Sequence, residues 1–242
     1  MRYFAEIAYN GSRFKGWQIQ PNGTTVQAAV QDALHTVLRV PTEVVGCGRT
    51  DAGVHAAQYF LHFDYEGALP NHILTRLNHL AGNDIAFLGL WEMQPEAHAR
   101  FDAVSRSYYY TIKTQKSPFD RETTYFYPNA CYIDTEKMQA CAQIFLEFQA
   151  FGTFCKTIAQ NTTNICTLTH AAWTFEGDTW TFRISSNRFL RGMIRLMVGA
   201  CLQVGQGKMT LAQVRAALAA QMPLPQPLSA PPEGLFLHDI QY

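Results

Sequence analysis

An α+β fold built from two ferredoxin-like halves is what this sequence predicts, and three observations predict it. Stretches with apolar residues at helical spacing alternate with short runs of β-formers; their order reads β-α-β-β-α-β twice along the 242 residues; and a content of 48% hydrophobic and 13% aromatic residues supplies a sizeable core. Two such halves, expected at residues 1–103 and 104–242, would form one mixed, mainly antiparallel sheet with helices packed on it and a central cleft. No sequence identity between the halves is visible, so the duplication rests on element order.

In the first half, residues 3–9 read as a strand, followed by a turn at Asn10-Gly11 and the aromatic, basic segment 13–18. Thr24 with Gln27 three residues on makes a capping box, and Val26, Ala29/Val30, Ala33/Leu34 and Val37/Leu38 recur at helical spacing until Pro41 stops them. Two strands flank a glycine-bearing loop at 46–56. A second helix opens at Pro70, carries Ile73/Leu74, Leu77 and Leu80 and ends at Gly82; residues 85–91 then read as a strand.

The second half repeats the order. Residues 106–112 are rich in β-formers, Asp134 caps a helix whose apolar face is Met138, Cys141/Ala142, Phe145 and Phe148, and strands at 170–175 and 180–184 flank Glu176-Gly177-Asp178. A helix is expected over 189–204 and a last strand over 235–240. Two additions break the pattern: a helix at 210–220 with a Thr210/Gln213 capping box, and a stiff connector carrying Pro223, Pro225, Pro227, Pro231 and Pro232.

The formal charge is zero, so any polyanion partner must be met by a local patch. The N-terminal residues lack a signal-peptide pattern and no apolar run is long enough to span a bilayer, which predicts a cytoplasmic protein without a membrane partner. Six cysteines with no C-x-x-C pair predict free thiols and no metal site.

One stretch concentrates chemistry. Gly46-Cys47-Gly48-Arg49-Thr50-Asp51-Ala52-Gly53-Val54-His55-Ala56 sets a guanidinium and a carboxylate two residues apart among three glycines. Its spacing fits an active-site loop and equally a surface hairpin with an exposed ion pair. A dinucleotide fingerprint would need glycine at Asp51, and a P-loop would need Gly-Lys-Ser/Thr, so neither nucleotide motif survives. Arg188, Arg191 and Arg195 fall three and four apart, a spacing that puts them on one helix face; a solvated face and a phosphate or carboxylate site both accommodate it. Period-two alternation places Tyr108, Tyr110 and Ile112 on one strand face and Tyr109 and Thr111 on the other, so one tyrosine face is inward. The histidines have neither triad nor ligand spacing and are assigned no catalytic role.

Residues 48–56, G-R-T-D-A-G-V-H-A, resemble the signature loop of the tRNA pseudouridine synthase A family. The resemblance extends along nearly the whole chain. Residues 14–18 (FKGWQ) are similar to the family's F-x-G-W-Q; 99–103 (ARFDA) with 105–110 (SRSYYY) to its A-R-F-x-A and R-x-Y-x-Y segments; 189–199 (FLRGMIRLMVG) to its F-x-x-x-M-V-R…V-G helix; and 233–237 (EGLFL) to its E-G-L-x-L ending.

The resemblance implies conversion of uridine to pseudouridine at positions 38, 39 and 40 of the tRNA anticodon stem-loop, without cofactor or metal, by a homodimer. It implies Asp51 as the catalytic aspartate, Arg195 as the cation that pairs with it, and Tyr108 as the ring that stacks on uracil and assists the last proton transfer. Arg49 would fill the gap left by the flipped base, and Arg188 and Arg191 would meet the RNA backbone. The chain departs from the family's H-D-F-x-x-F after the long helix of the second half: residues 149–154 read QAFGTF, keeping the aromatics and placing Ala150 where the acid stands. The competing expectation is a non-catalytic tRNA-binding paralogue on the same scaffold, against which the retention of Asp51 argues.

Overall fold

Nine strands and five α-helices, among the described residues, make the α+β fold that the sequence predicts. The computed structural model describes residues 1–156 and 163–242. The chain divides into two units, Met1–Val104 with Phe236–Tyr242, and Ser105–Leu235.

The first unit runs β1 (Arg2–Tyr9), α1 (Val26–Leu38), β2 (Val45–Gly46), β3 (His55–Asp64), α2 (Ile73–Leu80) and β4 (Ile85–Met93). β1 is its centre, antiparallel to both β3 and β4, so that Ala5 lies opposite Leu61 on one side and Leu90 on the other. The last strand, β9 (Leu235–Gln241), joins this unit although the expected second half extended to residue 242. It pairs parallel with β3, His55 opposite Phe236 and Ala56 opposite Leu237. Polar ties secure it: the Ile240 N–H donates to Gln58 Oε1 at 3.0 Å and the Tyr242 hydroxyl to the Ala99 carbonyl at 2.7 Å. The Tyr242 ring also packs edge-on against Phe4 and Phe60, which explains why Phe4 is buried although it alternates out of phase with Tyr3 and Ala5.

Two helix starts in this unit differ from expectation. α1 is capped by Thr25 and not Thr24: Thr25 is extended and its Oγ1 accepts from the Ala28 N–H, whereas the Gln27 carboxamide is used elsewhere, donating to the Val44 carbonyl. α2 begins at Ile73 and not Pro70, because His72 takes a left-handed conformation (φ 58°) that no helix continues through.

The second unit runs β5 (Ser105–Lys113), β6 (Tyr125–Phe126), α3 (Thr135–Phe145), β7 (Leu168–Glu176), β8 (Thr179–Ser186), α4 (Met193–Gly205) and α5 (Leu211–Ala220). β8 lies between β5 and β7, antiparallel to both, and the short β6, which the sequence did not suggest, runs parallel to β5. Asp134 caps α3 through its Oδ1, and Thr210 with Gln213 forms the expected capping box of α5. In the departing segment 149–154, Gln149 is exposed while Phe151 and Phe154 are fully buried. Gln221 fastens it to the end of α5, accepting from Gly152 N–H and donating to the carbonyl of Ala150.

Candidate functional site

The loop between β2 and β3 is held from below by side chains and from outside by the aromatic segment before α1. At its entry the Cys47 N–H donates to the Phe60 carbonyl at 2.8 Å, and the Tyr59 hydroxyl donates to the Gly48 carbonyl at 2.6 Å. The buried Thr50 shares a 2.8 Å hydrogen bond between its Oγ1 and the Tyr9 hydroxyl. Its carbonyl accepts from the Trp17 N–H at 3.1 Å, and the Gly53 N–H donates to the Phe14 carbonyl at 3.3 Å. Residues 14–17 therefore bracket Asp51 with one main-chain bond on either side.

Glycine at 16 is required by this bracket. Its φ is 92°, and a Cβ there would lie 2.6 Å from the Thr50 carbonyl oxygen, so any other residue would push the two segments apart. At the loop's exit the fully buried His55 accepts the Gly11 N–H on Nδ1 at 3.0 Å and stacks on Phe236 with centroids 4.4 Å apart. As an acceptor, Nδ1 carries no proton, so the ring serves as a neutral buttress. Asp51 stands half-buried between these fixed points, closing a turn in which its carbonyl accepts the Val54 N–H, and Arg49 is exposed two residues before it.

The other predicted residues lie in the second unit. Tyr108, on β5 opposite Ile184, is half-buried and meets Phe189 edge to face at 5.2 Å. Its neighbour on the same face, Tyr110, is fully buried and donates to the Pro231 carbonyl at 2.8 Å; burial first, and then the Glu233 carboxylate, hold its phenol well above the usual tyrosine range. Of the two faces that the alternation separates, the inward one is therefore that of Tyr110 and Ile112.

The three arginines do not share a helix face. α4 begins at Met193, four residues after the expected start, because Gly192 takes a left-handed conformation (φ 71°) at its N-cap. Arg188 and the exposed Arg191 precede the helix, and only Arg195 stands on it. Arg195 is clamped to the proline connector twice: its Nε donates to the Ala230 carbonyl at 2.6 Å, and its own carbonyl accepts the Ala230 N–H at 2.9 Å. The connector can come this close because residue 199 is glycine; a Cβ there would lie 1.8 Å from the Leu228 carbonyl oxygen.

Two of the surface cavities can be placed against these residues. The larger, about 420 Å³, lies among Lys113, Lys116, Arg121, Tyr125 and Phe126 of the second unit and touches none of the predicted site residues. The smaller, about 190 Å³, is in the first unit and has Gly48, Arg49 and Arg100 at its rim. The role of Arg100 and the bracket formed by residues 14–17 were not assigned from the sequence. The signal for the bracket was present as glycine beside tryptophan in the FKGWQ motif, but its partner lies 34 positions away in the chain, a separation read from Gly16 and Thr50.

Comparison with known proteins gives one consistent answer. Residues 142–242 match a family model described as tRNA pseudouridine synthase. The chain is 43% identical to the tRNA pseudouridine synthase A of Parabacteroides distasonis, over all of this chain and 96% of that protein. The same enzyme of Bacteroides fragilis is also 43% identical, with the same coverage, and that of Exiguobacterium sibiricum is 30% identical over all of this chain and 96% of its own.

Proposed function

Since this chain belongs to the tRNA pseudouridine synthase A family, we propose that it isomerises uridine at positions 38, 39 and 40 of the anticodon stem-loop, with Asp51 as its catalytic carboxylate. Pseudouridylation of tRNA, an isomerase reaction, is the activity; the positions, the aspartate and base flipping are the finer reading. The observation that carries it is the half-buried Asp51 held between main-chain bonds from Trp17 and Gly53. A carboxylate fixed in this way keeps its geometry while a base is brought to it.

The reaction breaks the bond from ribose C1′ to uracil N1, turns the base, joins C5 to C1′ and moves the C5 proton away, N1 regaining a proton. Atoms and electrons balance without a co-reactant. Ionised Asp51 starts it either as a nucleophile at C1′ or by taking a proton from the sugar. Arg195 supplies the positive charge that keeps the carboxylate ionised. Tyr108 offers a ring for the uracil and a hydroxyl for the closing proton transfer. Arg49, exposed on the loop, fills the gap that the flipped base leaves, and Arg188 and Arg191 contact the RNA backbone. The working form in this reading is a cytoplasmic homodimer. Asp51→Asn preserves shape and removes charge, so it is expected to bind tRNA and release no tritium from tRNA labelled at uridine C5; turnover by the pure variant would refute the assignment.

A further inference from the structure

The cavity beside the Asp51 loop has a built interior. Trp17, 2% exposed and stacked on Tyr59 at 4.2 Å, forms part of its wall. Gln27 fixes the rest: its Oε1 accepts from Gln18 Nε2 at 2.7 Å and from the Ile19 N–H at 3.0 Å, while its Nε2 donates to the Val44 carbonyl at 3.0 Å. Helix α1, the bracket segment and the approach to β2 are thereby tied around one space that needs no rearrangement to exist.

Its chemistry is one-sided. Arg49 and Arg100 are the charged residues that line it, and no carboxylate does among the described residues. At about 190 Å³ it is smaller than the range of about 300–1,000 Å³ that whole small ligands occupy, so it suits a single functional group. Two guanidinium groups lining a small preformed cavity suit an oxyanion, and RNA offers one at each nucleotide.

We infer that this cavity is a phosphodiester subsite, in which Arg100 holds a backbone phosphate of the tRNA strand presented to the Asp51 loop. It rests on the tRNA reading above. A phosphate held there anchors the strand beside the place where Arg49 enters the stack, so that Arg100 sets register and Arg49 stays free to move.

Equilibrium binding of an unmodified tRNA transcript tests this, with wild type, Arg100→Gln and Arg100→Lys compared between about 50 and 200 mM salt. Loss of one phosphate contact is expected to weaken binding roughly tenfold in Arg100→Gln and to flatten the log affinity against log salt slope by about 0.7–0.9, while Arg100→Lys keeps the slope. A wild-type slope in Arg100→Gln overturns the subsite. A second measurement walks a single methylphosphonate linkage through an anticodon stem-loop RNA. At one linkage the wild type should lose affinity and Arg100→Gln lose no more; additive losses at every linkage overturn the proposal as well. Both readouts are binding, so an active Asp51→Asn enzyme would defeat the catalytic reading and leave this one standing.

Discussion

At the scale of single residues, one titration is open to test. His62 is buried, its ring stacked on Phe4 and its Nδ1 accepting the Ala99 N–H at 3.1 Å. Burial, followed by the positive Arg2 and by His98, presses its pKa from 6.5 to about 4. The native ring therefore stays neutral where the unfolded chain's histidine gains a proton. Its contribution to stability is complete above about pH 6.5, falls as pH drops toward about 4 and is gone below that. His62→Gln should therefore flatten the fall in melting temperature between those two values; an unchanged pH profile would refute this. In the proposed mechanism Arg195 serves the chemical step, so Arg195→Met is expected to cost far more in kcat than in tRNA affinity. A loss confined to binding would assign Arg195 to the RNA backbone instead.

At the scale of elements, α4 and the proline connector act as one piece. Glycine at 199 lets the Leu228 carbonyl approach the helix, and the approach is what lets Ala230 bond Arg195 at both its carbonyl and its N–H. A methyl group cannot be absorbed there by a flexible side chain, because the obstacle is backbone. Gly199→Ala is expected to cost about 1–3 kcal/mol, seen as a lowered denaturation midpoint with an unchanged m-value. Its wild-type stability would show that the connector moves freely. In the QAFGTF segment the main chain is held by Gln221 at the α5 terminus, whose Nε2 donates to the Ala150 carbonyl.

At the scale of the whole molecule, a net charge of zero leaves recruitment of an RNA polyanion to local groups and does not oppose self-association. No helix among the described residues is long and apolar enough to cross a membrane. The homodimer is expected to appear in sedimentation at assay concentrations; a monomer with full activity would overturn it.

What the sequence by itself determined is local and periodic. Alternation along residues 106–112 put Tyr110 and Ile112 on one face, Asp134 and the Thr210/Gln213 pair marked true helix starts, and the G-R-T-D-A-G-V-H string picked out the family. Such signals lie within a few residues of one another, where hydrogen-bonding geometry and side-chain period act directly. Tertiary structure alone decided the rest. The left-handed turn at Gly192 shortened α4 and separated Arg188 and Arg191 from Arg195, although their spacing fitted one helix face. Thr25 displaced Thr24 as a cap because Gln27 was claimed by Val44, 17 positions on. The bracket on the Asp51 loop, the seat of β9 beside His55 and the presence of Arg49 and Arg100 at one cavity all join residues distant in the chain. No periodicity records them, because which far segments meet is settled by packing rather than by neighbours in sequence.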